Sequence, residues 1–370
     1  MRSYRLIDAF SGCGGMTGGF VAAGDDTARI KPVFAVDHDP AGIDSYAANF
    51  DPDRQHVFPG PVEELLSGHP DRIPEADITI GGPPCQGFSI LNRQRSGDPR
   101  RQLWYQFVEI ARLSGSRLIV MENVQYLYRS PEWNTITDRL REVGFLHQAG
   151  GVLLAADYGV PQKRYRTILI ASRIGPVSLP APTHASPDFL HATRAEERSA
   201  ALQPWRTVRD AIGNLPIPVG TDIRDDPPPL DLHFGRSPTP ISRERYAAIP
   251  EGGNRFDLQR NRPDITPACW IRKTSGGTDL MGRLWWDRPS VTIRTEFFKP
   301  EKGRYLHPEQ NRPITHREGA RLQSFPDEFQ FCGKKVEIAR QIGNAVPPLL
   351  AKAIAMQCLR VLQGTDVNRV

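Results

Sequence analysis

The segment YRLIDAFSGCGGMTGGF, residues 4–20, contains the signal that decides the fold. An apolar, strand-like run ends at Phe10, three glycines follow at Gly12, Gly14 and Gly15, and a helix is predicted to begin there. Glycines allow a backbone to approach a ligand closely, and a helix N-terminus favours a carboxylate or phosphate. The segment lacks GxGxxG, so it is weak evidence for dinucleotide binding, and a tight structural turn is the alternative.

Strand and helix signals alternate from this segment to residue 175. The pattern predicts an α/β fold with a doubly wound parallel sheet. Strands are predicted at 4–10, 31–39, 76–82 and 117–124, with a final pair within 148–159 and 166–174; helices are predicted at 15–24, 40–50, 102–113 and 132–144.

Composition places the chain among soluble globular proteins. It has 370 residues, of which 39% are hydrophobic and 24% charged, and no apolar run approaches the ~18 residues of a membrane span. It shows no signal-peptide pattern. Its five cysteines are scattered without a CxxC pair, so we expect neither a disulfide framework nor a metal site. A reducing, cytoplasmic compartment fits.

The second half differs in composition. Residues 176–240 hold 12 of the 34 prolines, which indicates irregular chain at a domain boundary or insertion. Residues 241–310 hold 13 Lys and Arg against 9 Asp and Glu, most of the chain's net charge of +5. This excess indicates either a polyanion-facing surface or an Arg-rich solvated one. The segment 335–364 reads as helix at both ends, with a Gly-Asn and Pro-Pro break between.

Four segments at strand ends carry candidate chemistry. In GGPPCQGFS (81–89), Cys85 lies on a restricted loop where α/β sheets bind ligands, although a small buried cysteine is the alternative. In VDHD (36–39), Asp37 is placed to hold a ribose, and Asp39 to cap the next helix. The other two segments contain Glu122 and an arginine pair.

Glu122 of MENV (121–124) follows an apolar run, and poor solvation lets a carboxyl group donate a proton near neutral pH. A structural ion pair with an arginine is the alternative. Arg164 and Arg166 of QKRYR (162–166) alternate and so share one strand face, where such a pair can hold a carboxylate, phosphate or carbonyl oxygen.

Six segments together resemble the motifs of bacterial-type DNA (cytosine-5)-methyltransferases, in that family's order. They are DAFSGCGGMTGGF (8–20), GGPPCQGFS (81–89), MENV (121–124), QKRYR (162–166), RPITHREGARLQSFPD (312–327) and QIGNAVPP (341–348). They span nearly the whole chain, and chance agreement of all six in order is negligible.

The resemblance implies a Rossmann-like S-adenosylmethionine-dependent fold in residues 1–180 and 334–370, with a smaller irregular target recognition domain at 181–333. It implies that Cys85 attacks C6 of cytosine, that Glu122 holds N3 and the amino group, and that Arg166 holds O2. Asn123 would anchor the loop of Cys85, and Arg164 would complete the catalytic set. The implied residues for S-adenosylmethionine are Phe10, Gly12, Gly14, Gly15, Asp37, His38, Pro84, Leu103, Asn344 and Ala345.

The enzyme cannot reach C5 of a cytosine that is stacked within a duplex, so the resemblance also implies that the base is flipped out. Candidate DNA contacts are Gln86, Ser89, Arg93, Arg95, Arg283, Thr292 and Arg294. Arginine reads guanine in the major groove, which favours a G·C-rich palindromic site. Two departures from the family concern the cofactor: Pro61 stands where an acid is expected, so Glu63 or a backbone carbonyl would take its role, and His38 replaces an aromatic side chain.

The sequence therefore predicts a sequence-specific enzyme that methylates C5 of cytosine in double-stranded DNA. It would be monomeric and nucleoid-associated, without a membrane segment, in a restriction-modification system with a cognate endonuclease or as a solitary methyltransferase. A tRNA or other RNA cytosine-5 methyltransferase and a catalytically silent DNA-binding regulator are the alternatives. The roughly 145 residues between Arg166 and Arg312 favour duplex DNA over tRNA.

Overall fold

The structure is a computed structural model that describes residues 1–84, 103–192, 201–272 and 275–367. Its centre is a seven-stranded sheet with the strand order β3-β2-β1-β4-β5-β7-β6. The strands are β1 (Arg2–Ala9), β2 (Ala28–Asp37), β3 (Val57–Pro59), β4 (Ile78–Gly81), β5 (Leu118–Val124), β6 (His147–Leu154) and β7 (Tyr165–Ser172).

Helices connect these strands and continue after them. Those within the sheet region are α1 (Gly15–Val21), α2 (Pro40–Phe50), α3 (Val62–Gly68), α4 (Leu103–Leu113) and α5 (Pro131–Glu142). Later helices are α6 (Pro187–Ala192), α7 (Val208–Ile212), α8 (Pro240–Ala247), α9 (Arg255–Asn261), α10 (Ala268–Ile271), α11 (His316–Leu322), α12 (Lys335–Asn344) and α13 (Pro348–Val367). Short strand pairs form from β8 (His184–Ala185) with β9 (Gln203–Pro204) and β10 (Gly282–Arg283) with β11 (Arg304–Leu306).

The mixed α/β class is confirmed, but the prediction that all strands of the sheet are parallel was wrong for β7. β1 to β5 pair in parallel, whereas β7 runs antiparallel to both β5 and β6. A parallel pair needs a crossover of about a dozen residues, usually a helix. Between Leu154 and Tyr165 the chain has only a short 3-10 turn at Ala155–Tyr158, so it reverses direction instead. The reversal directs the start of β7 toward the end of β5.

The two faces of the sheet bury separate apolar clusters. Leu6 of β1 and Ile80 of β4 pack against α1 and α13 on one face, and Ile7 and Ala9 pack against α3, α4 and α5 on the other. The alternation along β1 follows from the two-residue period of a strand. Because both faces of the sheet are buried, a ligand can reach the sheet mainly at its strand ends. We therefore expect the candidate site at the carboxyl ends of the strands.

A third cluster joins the chain after β9 to the sheet region. Val208 and Ile212 of α7, Ile293, and Ala320 and Leu322 of α11 pack with Ile338 and Ile342 of α12. The predicted C-terminal break is confirmed, because α12 ends at Asn344 and α13 begins at Pro348.

Within the described residues, none of the helices alone has the length and apolarity to cross a bilayer. The bent pair Lys335–Asn344 and Pro348–Gly364, with 42° between its halves, passes that test as a unit.

Candidate active site

The glycine-rich turn after β1 brings the backbone against the C-terminal segment. Gly12 and Gly14 adopt φ of 53° and 88°, in the left-handed region that favours glycine. At Gly15, a Cβ atom would lie 2.7 Å from the carbonyl oxygen of Val346, so no larger residue fits without a shift. Phe10, just before the glycines, also has a positive φ of 60°. Gly15 thus lets the C-terminal segment pack directly on the turn, whereas a Cβ atom at Gly12 would have nothing within 4 Å, so the open space lies beside Gly12.

Asp37 lies at the end of β2 and is buried. Its Oδ2 accepts a hydrogen bond from the Gly12 amide at 2.7 Å and its Oδ1 from the Asp39 amide at 2.8 Å. His38 is exposed, and its hydrogen bond to Asp37 raises the pKa of the imidazole. Asp39 stands at the N-cap of α2 without a side-chain cap bond, and it pairs instead with Arg340 at 2.9 Å.

The end of β4 is held close to its neighbours. A Cβ atom at Gly81 would lie 2.2 Å from the carbonyl oxygen of Ala9, and one at Gly82 would lie 3.1 Å from Glu122 Oε2. Asn123 Nδ2 donates a 2.9 Å hydrogen bond to the Pro83 carbonyl. This bond fixes the backbone two residues before Cys85. Cys85 itself lies outside the described residues, as do Gln86, Ser89, Arg93 and Arg95.

Glu122 and Arg166 form an ion pair at the carboxyl end of β5. Arg166 Nε lies 2.7 Å from Glu122 Oε1, and both side chains are mostly buried. Because β7 is antiparallel to β5, with Arg166 opposite Val124, the first residues of β7 meet the last residues of β5. The structure thus shows the ion pair with an arginine that was the alternative for Glu122, and the role of Glu122 as a proton donor stays a prediction.

Arg164 differs from Arg166 in its surroundings. It is buried, and it donates to the carbonyl oxygens of Ile293 at 3.0 Å, Gly343 at 2.9 Å and Ala345 at 3.1 Å. Burial lowers the pKa of the guanidinium. Its donors hold the backbone at Ile293 and at the end of α12 against the start of β7, so the geometry supports a positioning role rather than a contact with reacting atoms.

These elements enclose one cavity of about 570 Å³. Its lining includes most of the residues predicted for catalysis and cofactor binding, namely Phe10, Gly12, Gly15, Asp37, His38, Pro84, Glu122, Asn123, Arg164, Arg166, Asn344 and Ala345. Leu103 begins α4 and Gly14 faces Tyr46 and Phe50, and neither lies in that lining. Pro61 caps α3, and Glu63 is exposed on its first turn; they too lie outside it.

The cavity fits S-adenosylmethionine by volume and by chemistry. Ligand pockets of roughly 300–1,000 Å³ suit molecules of this size. The buried Asp37 carboxylate stands where a ribose hydroxyl pair is commonly held, and Phe10 offers an apolar face beside it. Gly12 carries no side chain into the cavity, and a Cβ atom there would have nothing within 4 Å.

Asp8 is a cavity residue to which the sequence interpretation gave no role. It is buried, Thr17 Oγ1 donates to its Oδ2 at 2.6 Å, and burial raises the pKa of its carboxyl to about 7. A lone acid in the apolar strand end LIDAF was the available signal. Gln162 was also missed: its Nε2 donates to Gln323 Oε1 at 2.9 Å, and its Oε1 accepts from the Ile293 amide at 3.0 Å.

The three described candidates for DNA contact fall into different environments. Arg294 is exposed. Thr292 is half-buried, and its hydroxyl donates to the Lys163 carbonyl at 2.9 Å. Arg283 is buried and donates to five oxygens, those of Ile249, His307, Gln310, Tyr246 and Asn311. The structure therefore argues against a DNA contact by Arg283, because its guanidinium stabilises irregular chain from within.

Comparison with known proteins gives a consistent result. The family model of C-5 cytosine-specific DNA methylases matches residues 4–221 and 234–360. The type II methyltransferase M1.HphI of Haemophilus parahaemolyticus is 34% identical, with 97% of this chain and 87% of that protein covered. The type II methylase M.HgiDII of Herpetosiphon aurantiacus is 30% identical, with 97% and 96% covered.

Solved structures show the same fold. An E. coli prophage protein described as a DNA modification methyltransferase superposes with a TM-score of 0.67 and 25% identity, covering 97% of this chain and 99% of that one. The S. pombe Dnmt2 methyltransferase gives a TM-score of 0.57 at 15% identity, with 98% and 99% covered. This chain belongs to the C-5 cytosine-specific DNA methylase family and is an S-adenosylmethionine-dependent DNA (cytosine-5)-methyltransferase.

Proposed function

We propose that this chain methylates C5 of a cytosine flipped out of duplex DNA, through a covalent adduct between Cys85 Sγ and C6. The observation that supports this most directly is the Glu122–Arg166 pair, at 2.7 Å, beside the Pro83 carbonyl that Asn123 holds. A carboxyl group, a guanidinium and the approach to a cysteine thus meet at one end of the cofactor cavity. A flipped base is read there by hydrogen bonds to its Watson–Crick edge.

The chemistry follows from the weak nucleophilicity of cytosine C5. A free thiol has a pKa of about 8.5, so Cys85 needs its site to favour the thiolate. The thiolate adds to C6, and the displaced electron pair makes C5 nucleophilic while Glu122 holds N3 and the amino group. Arg166 holds O2 and balances charge on the ring. S-adenosylmethionine, when bound, would supply an electrophilic methyl group to C5, with the electrons of the broken sulfur–methyl bond staying on the sulfur of the product S-adenosylhomocysteine.

Release reverses the addition. A base, reached through water, removes the C5 proton, the electron pair restores the C5–C6 double bond, and the Cys85 thiolate leaves. Arg164 would take part by positioning, since its contacts tie β7 to Gly343 and Ala345 beside the cofactor cavity. Asp37 would hold the ribose of the cofactor and His38 would pack on its adenine, and Asn344 and Ala345 would close the cavity from the end of α12.

Residues 181–333 would form the target recognition domain, with Arg294 as the exposed candidate for base contact and Thr292 beside it. The relatives named above are type II methyltransferases, which supports action at one short DNA sequence in a restriction-modification system. We propose that the protein acts as a monomer on each strand in turn, and that a cognate endonuclease shares its site.

The test is expression in a methylation-free bacterial host, followed by bisulfite sequencing of the chromosome. We expect 5-methylcytosine at one short motif, and none in a parallel culture that expresses Cys85→Ser. If the chromosome stays unmethylated while host tRNA gains 5-methylcytosine, the substrate is RNA and the proposal fails. Absence of new 5-methylcytosine from both the chromosome and tRNA would favour a catalytically silent DNA-binding regulator.

A further inference from the structure

The segment 290–295, with the sequence SVTIRT, is held along its backbone by the residues just before β7. The Ser290 amide donates to the Pro161 carbonyl at 2.9 Å, and the Lys163 amide donates to the Ser290 carbonyl at 2.8 Å. Further along, the Thr292 hydroxyl donates to the Lys163 carbonyl at 2.9 Å. Two stretches that lie 129 residues apart in the sequence are therefore joined by several hydrogen bonds.

Gln162 lies at the centre of this pairing and is fully buried. Its Oε1 accepts from the Ile293 amide at 3.0 Å, while its Nε2 donates to the Leu322 carbonyl at 3.1 Å and to Gln323 Oε1 at 2.9 Å. Gln323 is also fully buried, and its Nε2 donates to the Ile342 carbonyl in the last turn of α12. Gln162 thus joins the 290–295 segment to α11 and, through Gln323, to the end of α12 that lines the cofactor cavity.

The end of α12 also contacts the 290–295 segment directly. A Cβ atom at Gly343 would lie 2.4 Å from the Thr295 amide nitrogen and 2.5 Å from the Arg294 carbonyl carbon, so a larger residue would force the two backbones apart. Arg164 donates to the carbonyl oxygens of both Ile293 and Gly343. The backbone on either side of Arg294 is therefore fixed, although the Arg294 side chain is exposed.

The same contacts connect Arg294 to the catalytic end of the cavity. Arg166 follows Gln162 by four residues and pairs with Glu122. Buried amide groups that satisfy one another form a stiff network, so a displacement at one end is passed to the other. A misplacement of about 1 Å at a reacting centre can lower a rate by about 10²-fold.

We propose, on the basis of the function proposed above, that Gln162 is a positioning residue that couples the reading of the target sequence by Arg294 to the placement of Arg166 against the target base. When Arg294 contacts the correct base pair, the 290–295 segment and the start of β7 lie in the arrangement that methyl transfer requires. An incorrect base pair displaces the segment, and Gln162 passes this displacement to β7. The transfer rate then falls in addition to the affinity for DNA.

A double-mutant cycle on the rate of methyl transfer tests this coupling. Single-turnover rates are measured at saturation with S-adenosylmethionine and with the full chain in saturating excess over a duplex that carries the motif found by bisulfite sequencing. We expect Gln162→Met, which removes the side-chain hydrogen bonds and keeps the side-chain length, to lower the rate by about tenfold or more. Its dissociation constants for DNA and S-adenosylhomocysteine should stay within about threefold of the native values.

The second arm of the cycle is Arg294→Ala. At saturating DNA, this change should lower the transfer rate by about tenfold in the native chain, but by less than about twofold in the chain that already carries Gln162→Met. A purely structural role of Gln162 predicts the same loss in both backgrounds, because a change in overall stability does not alter what Arg294 contributes to the rate of the folded chain.

Gln148→Met is the matched control. Gln148 Nε2 also donates to two oxygens, the carbonyls of Thr137 and Phe145, at 2.9 Å each, and it lies on β6 with its partners at α5 and the turn after it. This variant should leave the transfer rate and the effect of Arg294→Ala unchanged. Urea denaturation measures the stability of each variant.

A milder variant serves if Gln162→Met does not fold. Ser290→Ala removes only the 3.1 Å hydrogen bond from the Ser290 hydroxyl to the Pro161 carbonyl, which keeps the Ser290 amide as a donor. In this background the loss caused by Arg294→Ala should be smaller than in the native chain by about threefold.

Independent effects of the paired substitutions would overturn the coupling, and so would a native transfer rate that Arg294→Ala leaves unchanged at saturating DNA. A defect of Gln162→Met confined to stability or to DNA affinity would also overturn it. All three outcomes are read on a native chain that methylates its motif, so they leave the proposed function standing. A native chain that transfers no methyl group to DNA would refute the proposed function itself, and the coupling with it.

Discussion

Arginines have opposite roles in two regions. One region is the edge of the sheet formed by the carboxyl ends of β1, β2, β4 and β5 (the sheet edge), and the other is residues 241–310. At the sheet edge, Arg166 points into the cofactor cavity and pairs with Glu122. In the basic window, Arg255, Arg283 and Arg304 are buried and donate mainly to backbone carbonyl oxygens. Strands satisfy their own backbone groups, so side chains at their ends are available to ligands. Irregular chain leaves carbonyls unpaired, and buried arginines supply the missing donors.

The comparison shows that a count of Lys and Arg along the sequence overstates the positive charge that the surface exposes to DNA. Three of the cations in the window are buried, and Arg260 and Arg262 pair with Asp257 and Asp264 on the surface. The arginines that remain exposed are Arg243, Arg272, Arg288 and Arg294. The electrostatic attraction of DNA by this region would therefore rest on few residues, whereas the others stabilise the fold.

The strongest test of the sheet-edge assignment is Glu122→Gln. Loss of a group that holds N3 should lower kcat by about 10²- to 10⁴-fold while the affinity for S-adenosylmethionine stays the same. The matched control is Glu109→Gln, which breaks the exposed pair with Arg112 on α4. Steady-state kinetics on a methylatable duplex measures both. A kcat within twofold of the native value would remove Glu122 from the catalytic centre.

The structural role of the buried arginines is tested by Arg283→Ala. Because five oxygens lose their donor, we expect the free energy of unfolding to fall by about 3 kcal/mol, as measured by urea denaturation. Arg243→Ala, at an exposed position, should change it by less than about 0.5 kcal/mol. Unchanged stability together with weakened DNA binding would show that Arg283 contacts DNA after all.

Asp8 should make the free energy of unfolding depend on pH. Its carboxyl pKa is raised by burial from 3.8 to about 7, so the folded state holds the proton more tightly than the unfolded state. The resulting stability is present at low pH and is lost as pH rises through about 7. Asp8→Asn should flatten the decline in unfolding free energy between pH 5 and 8 by roughly 2 kcal/mol.

Urea denaturation curves of the native chain and of Asp8→Asn at pH 5 and pH 8 measure this difference in unfolding free energy. Asp77→Asn is the control, since Asp77 is a partly exposed carboxylate that pairs with Arg117. An identical pH profile for the native chain and Asp8→Asn would show that Asp8 is ionised throughout this range.

The smallest expected effect comes from Arg294→Ala. Removal of one exposed cation should weaken binding to target DNA by about tenfold and reduce the salt dependence by about one phosphate contact. Folding stability and cofactor affinity should not change. Fluorescence anisotropy at several salt concentrations measures the effect, with Arg243→Ala as the matched variant. Equal losses in both variants would mean that the region binds DNA only through its net charge.

The sequence predicted the sheet edge well because its signals are local. A strand followed by glycines, an acid after β2, and Glu-Asn at the end of β5 each identify a position without knowledge of distant contacts. Parallel strands then bring these positions to one edge. The direction of β7 was not predicted, because it depends on the short turn at Ala155–Tyr158 rather than on periodicity.

The remaining features depend on long-range contacts. Arg164 and Arg166 alternate as predicted, but only the folded chain shows that Arg164 donates to Ile293 and Gly343, which are 129 and 179 residues away. The burial of Arg283 has the same origin. An arginine in Pro-rich chain gives no local sign of whether it faces solvent or carbonyls.

The most direct test of the catalytic account is covalent trapping on DNA with 5-fluorocytosine at the methylated position found by bisulfite sequencing. With S-adenosylmethionine present, fluorine at C5 blocks the final proton removal, so the account predicts a protein–DNA adduct that survives denaturing electrophoresis. Cys85→Ser should form none. A native chain that methylates ordinary duplex but gives no adduct on the fluorinated one would contradict attack of Cys85 at C6.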